Sequence, residues 1–304
     1  MRTQTVQDLY KQFPDIDGFW ASDDLTVTES TIRQHIPNKP ESAWTSEEIG
    51  SLTQLARVQN LQEKNDEAKA TLDRAKALFA LCPQNSAKIR TEIRLILEEG
   101  RHLWLARNPA KAQNFFNQAW TMANESNEMF FAIDAAIMLS LCQPRKFQND
   151  WLQKALSLAE TTTDETAKLW LTQVYILNGW HCFDFRRFED ALDSFKKALA
   201  RPRGKGETSD LYMIRWCVGR TLRGLNRVAE ALDIQTQIKT DLSIIGRVNG
   251  YVFLELAECL QLLQRTEEAK GFFELAYKDL SMNPWFSDNN PTELRRMQFL
   301  YKLR

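Results

Sequence analysis

One spaced pattern recurs along the chain and limits its fold more than any other feature. A small residue is followed twelve positions later by an alanine, then four further on by a large apolar residue, then three beyond that by another small residue. The units with the full pattern are Ala56, Ala68, Leu72, Ala75; Gly100, Ala112, Phe116, Ala119; Gly179, Ala191, Phe195, Ala198; and Ala257, Ala269, Phe273, Ala276. A period of this length is the mark of stacked supersecondary units, none of which buries its apolar face alone. Small residues allow two antiparallel helices to approach closely, and the large one fills the space between them and the next pair.

Two further units keep the frame but change its residues. The third has Ala136, then Gln148 in place of alanine, with Leu152 and Ala155 following in register. The fifth has Gly219 and Ala231, then Gln235 and Ile238, which makes it the expected place for altered packing. Short polar segments supply the turns: Asn65-Asp66-Glu67, Asn108-Pro109-Ala110, Arg187-Phe188-Glu189, Asn226-Arg227-Val228 and Arg265-Thr266-Glu267. Asp66 and Thr266 suit helix caps, and Pro109 suits a first turn.

The pattern, with segments such as Phe188-Glu189-Asp190-Ala191-Leu192 and Thr266-Glu267-Glu268-Ala269-Lys270, resembles the tetratricopeptide repeat family over residues 46 to 281. The resemblance implies an all-α, right-handed superhelical solenoid of about six antiparallel helix pairs. The expected units are 46–83, 86–124, 127–160, 164–202, 207–244 and 246–281. The register positions recur on average about every 40 residues against about 34 in the family, so longer helices or connections are expected, as at Thr161-Thr162-Thr163-Asp164 and Arg203-Gly204-Lys205-Gly206. Residues 1–45 lie outside the repeat and read as a partly irregular arm that covers the first pair. Val6 to Phe13 could form a short helix there, stopped by Pro14. Residues 282–304 read as a capping helix opened by Pro291-Thr292-Glu293-Leu294.

Bulk properties exclude several classes. The chain has 304 residues with 39 Lys+Arg against 40 Asp+Glu, a net charge of -1 that offers no overall basic excess for nucleic acid. A basic tail at Arg295, Arg296, Lys302 and Arg304 is the rival reading of the C-terminus, disfavoured on charge. Five widely spaced cysteines, Cys82, Cys142, Cys182, Cys217 and Cys259, sit in apolar stretches and read as free thiols of a reducing compartment. The first residues lack the apolar core of a signal peptide, and the longest apolar run, Met129 to Cys142, is too short to span a bilayer and contains Asp134. A cytoplasmic location is expected.

No arrangement of residues points to catalysis, a metal or a cofactor. There are three histidines, His35, His102 and His181, and the last two occupy matching places in two repeats, which the repeat explains. No phosphate-binding glycine loop of the GxxxxGK[ST] or GxGxxG kind occurs.

The resemblance also implies which first-helix residues line the hollow of the superhelix. They lie one and four positions after the small residue, and two, three and six before it. These are Arg94, Arg101 and Trp104; Phe130, Ile133, Asp134 and Ile137; Ile176, Trp180 and Phe183; Trp216, Arg220 and Arg223; and Tyr251, Glu255 and Glu258. A lining of aromatics and arginines suits a protein or peptide partner. The competing reading is core, since a register error of one residue turns Trp180 or Trp216 inward. An unpaired Asp134 would be costly in its apolar stretch, and Arg101 is its expected partner. If that pair closes on itself, neither residue is free for a ligand. The family's clamp for heat-shock-protein carboxylates is not expected, because the matching positions hold Thr53, Arg57, Arg94 and Glu98. The leading expectation is a non-enzymatic interaction scaffold with Arg220 and Arg223 set against acidic groups. The alternative is a regulatory sensor array that binds a small signal or signalling peptide, although residues 1–45 are too short and acidic for a DNA-binding helix-turn-helix.

Overall fold

The computed structural model describes residues 19–20, 24–82, 86–201 and 209–302. The expected helix at Val6 to Phe13, the Arg203 to Gly206 connection and Arg304 lie outside them. Every regular element among the described residues is helical. The chain divides into two compact units at Val174–Tyr175.

The N-terminal unit begins with α1 (Leu25–His35), whose Asp24 side chain caps the Thr26 N–H. Pairs follow in α2 (Ser46–Leu61) with α3 (Asn65–Leu81), α4 (Ser86–Leu105) with α5 (Pro109–Glu125), and α6 (Met129–Cys142) with α7 (Gln148–Thr161). Residues 24–45 are more ordered than an irregular arm. Ile32 of α1 joins Phe19, Trp44 and α2 residues Ile49, Leu52 and Leu55 in one apolar cluster. Buried Glu29 takes a hydrogen bond from Lys64 at 2.9 Å, which ties α1 to the first turn of the array. A capping box starts α2: Thr45 Oγ1 accepts from the Glu48 N–H, and Glu48 returns the bond to the Thr45 N–H.

The C-terminal unit starts within α8 (Leu171–Asp184), which pairs with α9 (Phe188–Ala200). It continues as α10 (Ser209–Gly224) with α11 (Val228–Ile244), then α12 (Gly250–Leu262) with α13 (Thr266–Ser281). The end is two helices, not one: α14 (Pro284–Asn289) and α15 (Pro291–Lys302). Asn283 caps the Phe286 N–H at 3.0 Å, and fully buried Phe286 holds the short turn in place.

The spaced pattern has a steric meaning in both units. A Cβ on Gly100 would lie 2.5 Å from the Phe116 ring, and one on Gly179 would lie 2.6 Å from the Phe195 ring. Real Cβ atoms do not come so close, so the glycine is what admits the phenylalanine. In the fifth pair a Cβ on Gly219 would meet buried Gln235 at 2.6 Å. The amide is accommodated because its Nε2 donates to the Trp216 carbonyl at 3.2 Å.

Five of the pairs turn identically. Five residues before the register position stands a left-handed residue, Glu63, Arg107, Arg186, Asn226 or Gln264, and none is glycine. The next N–H reaches back five residues in the Schellman manner, as from Arg265 to the Leu260 carbonyl at 2.9 Å. The third pair departs. Gln143 is extended, with φ -86 and ψ 150, and a short 3-10 turn at Arg145–Phe147 leads into α7. Pro144 explains this, since the residue before a proline is pushed from helical to extended backbone. The expected caps Asp66 and Thr266 are not used: the cap positions are Lys64 and Arg265, with Asp66 and Thr266 inside the first turn.

Candidate binding face

In the N-terminal unit the first-helix side chains serve mainly to join neighbouring helices. Arg101 of α4, 2% exposed, pairs with Glu98 at 2.5 Å and reaches across to Asp134 of α6. The pair closes on itself, as two buried charges must when water is excluded. Trp104 is half-buried. Phe130, Ile133 and Ile137 are buried, and the Phe130 ring tilts against Trp170 with centroids 5.3 Å apart. The clamp positions are likewise engaged. Thr53 Oγ1 donates to the Gly50 carbonyl at 2.6 Å, the Arg57 guanidinium lies over the Trp20 ring at 5.3 Å, and that of Arg94 over Phe131 at 5.6 Å.

The C-terminal unit gathers the aromatic and basic residues into one cluster. Trp180 meets Phe183 edge-on at 5.6 Å and tilts against Trp216 at 6.1 Å. Trp216 in turn meets Tyr251 at 6.1 Å, and its Nε1 donates to the Tyr251 carbonyl at 3.2 Å. Tyr251 meets Phe286 at 5.6 Å. This run of rings crosses α8, α10, α12 and α14. Trp216 is buried, whereas Trp180, Phe183 and Tyr251 are half-buried.

Arg220 lies on the cluster, its guanidinium 5.5 Å from the Phe183 ring and 5.2 Å from Trp216. It donates to Glu255 Oε1 at 2.5 Å, while Arg223 donates to the same carboxylate at 2.7 and 3.1 Å. Glu255 is 1% exposed and the arginine side chains are 17% and 23% exposed, so the acid is buried beneath two half-covered bases. Burial alone would lower the pKa of Arg223, but the hydrogen bond and charge of Glu255 outweigh it and raise it. One turn further along α12, Glu258 pairs with Arg296 of α15, which also bonds Glu293 at 2.7 Å. Arg296, named above in the rival reading of a basic tail, joins the last helix to α12. Arg215 and Asp241 form another pair at 2.6 Å.

Apart from Ile176, which is buried, the sequence-derived residues of α8, α10 and α12 therefore converge, but their charges do not stand open. Arg220, Arg223 and Arg296 balance Glu255, Glu258 and Glu293. The rings of Trp180, Phe183 and Tyr251 remain half-buried beside the two paired arginines. The thiols nearby are protected: burial pushes Cys217 well up, and Cys259 up to about 12. Among the described residues no three His, Cys, Asp or Glu side chains group so as to hold a metal, and no helix is long and apolar enough to cross a membrane.

No family model matches the sequence, and no curated protein matches it significantly. Solved structures do match. The apo form of the quorum sensor NprR from B. thuringiensis superposes with a TM-score of 0.60 at 12% identity, over 98% of this chain and 81% of that one. The chain has a tetratricopeptide-like repeat fold. The same fold relates it to BtubC (BKLC) from P. vanneervenii, with a TM-score of 0.54, 12% identity, and 74% of this chain and 91% of that one covered. It also relates it to the APC/C hetero-tetramer Cut9-Hcn1, with a TM-score of 0.55, 13% identity, and 97% and 52% coverage. At these identities the likeness is one of tetratricopeptide-like architecture, which many unrelated functions share.

Proposed function

We propose that this protein is a non-catalytic scaffold that holds a peptide segment of a partner on the first-helix face of its C-terminal unit. The half-buried rings of Trp180, Phe183 and Tyr251, continuous through Trp216, carry this reading. Large rigid aromatics give contact area at little entropic cost. The anchor is apolar. Arg220 and Arg223 are balanced by acids of this chain, so their part is to orient a backbone carbonyl or carboxylate at the edge of the cluster. A binding role fits what the polar groups do, because Arg101, Asp134 and Glu255 are held in structural ion pairs. Thiols whose pKa is raised are poor nucleophiles, and five free cysteines suit a reducing, cytoplasmic setting.

Panning a phage-displayed random peptide library on the purified protein tests the proposal. Selected peptides should be rich in aromatic or branched aliphatic residues and should lose binding to Phe183→Ser, a half-buried position. Peptides that bind that folded variant equally well would remove the site.

A second reading, a regulatory sensor whose ligand changes the array, is favoured by the likeness to the quorum sensor NprR along 98% of this chain. Thermal-shift screening with small signalling molecules and short peptides separates the two, since a native-state ligand raises the melting temperature.

A further inference from the structure

Apart from the first-helix face, the outer surface of the N-terminal unit carries a patch unlike the rest of the repeat. Helix α5 has two charged residues, Lys111 and Glu125, and the thirteen positions between them are uncharged. The corresponding helices α3 and α13 have six each. The outward stripe of α5 is Asn114, Gln118 and Thr121, all exposed. Beside it Trp120 meets Trp151 of α7 edge-on at 5.2 Å, and both are half-buried. Exposed Lys154 extends over this pair, its Nζ 3.9 Å from the Trp151 ring and 5.9 Å from Trp120. Depletion of charge with aromatic enrichment distinguishes the core of a protein interface from ordinary surface.

The charges around this patch have an unusual state. On the other second helices, charges pair locally, as in Lys69 with Asp73, Lys197 with Asp193, Arg227 with Glu230, Arg265 with Glu268 and Lys278 with Glu274. Among the described residues Lys111, Glu125, Asp150 and Lys154 form no ion pair. Asp150 and Lys154 are four apart on one helix, the spacing at which an acid and a base ordinarily bridge. Lys154 lies instead across the two indoles.

We infer that the outer face of α5 and α7 is a self-association surface, occupied by the same face of a second copy of this chain. Among the described residues, two bases and two acids that form no ion pair border an uncharged aromatic centre. That layout is complementary to itself about a two-fold axis, where each lysine of one copy meets a carboxylate of the other. A face built for an acidic or a basic partner would carry one sign. The tryptophan pair is the energetic centre, since tryptophans in a desolvated middle dominate interface energetics.

Sedimentation velocity of the full chain, from low micromolar to about 100 micromolar, is the test, a range that brackets interfaces of modest size. Dimer should grow with concentration. Thr121→Arg, an exposed charge in the middle of the patch, should weaken the dimer by about tenfold or more with the melting temperature retained. Gln237→Arg at an exposed site of α11 should leave it unchanged. A chain that stays monomeric throughout overturns the inference, including one whose face takes a different protein. So does a dimer indifferent to Thr121→Arg.

Discussion

Arg220 of α10 and Glu255 of α12 form the same inter-helix ion pair, at the same repeat positions, as Arg101 of α4 and Asp134 of α6. Each arginine stands one residue after the small residue of its pair, Gly219 or Gly100. Each acid stands two before the small residue of the next, Ala257 or Ala136. The rule turns a repeat spacing into a charge pairing, and it makes the paired residues structural. Among the described residues Glu255 is the sole carboxylate bonded to both Arg220 and Arg223, so Glu255→Gln should destabilise the C-terminal unit by about 3 kcal/mol. Asp134→Asn should cost less, because Arg101 keeps Glu98. Urea unfolding followed by circular dichroism checks both, and equal midpoints for Glu255→Gln and wild type would defeat the assignment.

The contrast between two glycines gives a second expectation. Gly179→Ala places a methyl 2.6 Å from the Phe195 ring, and overpacking of this kind costs about 1–3 kcal/mol. Gly179→Ala with Phe195→Leu should recover part of that loss. Gly271, exposed within α13, has nothing within 4 Å of its would-be Cβ, so Gly271→Ala should stabilise by up to about 1 kcal/mol through helix propensity. Thermal unfolding that moves both single variants in one direction would contradict the steric account.

The helix pairs were legible because the decisive quantity, side-chain volume at Gly100 and Phe116 or Gly179 and Phe195, is written in the residue types. The left-handed turns were not, since Glu63, Arg107, Arg186, Asn226 and Gln264 carry no glycine to mark them. The third pair's different turn had a visible cause in Pro144, whose effect on Gln143 is local. On the proposed binding face, Trp180, Phe183, Trp216, Arg220 and Arg223 were placed together by register alone. Their charge balance was hidden, because Glu255 and Glu258 occupy lining positions and only three dimensions reveal that Arg220, Arg223 and Arg296 reach them. The alignment of arginine and acid positions between successive repeats is the signal that could have found it.

The turn at Gln264 offers a third test. A non-glycine residue with φ near 60 carries a penalty of about 1–2 kcal/mol, part of which glycine removes at the expense of a freer unfolded chain. Gln264→Gly should therefore stabilise by about 0.5–1 kcal/mol. Gln264→Val should destabilise by at least as much, because a β-branched side chain fits this backbone worst. Denaturant midpoints that rank valine above glycine would show that the Leu260 to Arg265 bond, not the backbone, controls the turn.

The last expectation concerns acid. Burial lowers the pKa of His102, and although Glu99 opposes that shift, the imidazole stays below its ordinary 6.5. Its Nδ1 lies 2.9 Å from Asn60 Oδ1, a contact between α4 and α2. The unfolded chain therefore takes up this proton first. The contribution of neutral His102 is complete above the unfolded value and is lost as pH falls from there through the lower folded value. The carboxylates Glu29, Glu48 and Asp73 are shifted down, away from this window. Wild type should thus lose more stability between pH 7.5 and 5.5 than His102→Gln, which keeps a donor for Asn60 but has no proton to gain. Melting temperatures of the two proteins at both pH values give the difference directly, and parallel declines would place the acid sensitivity elsewhere.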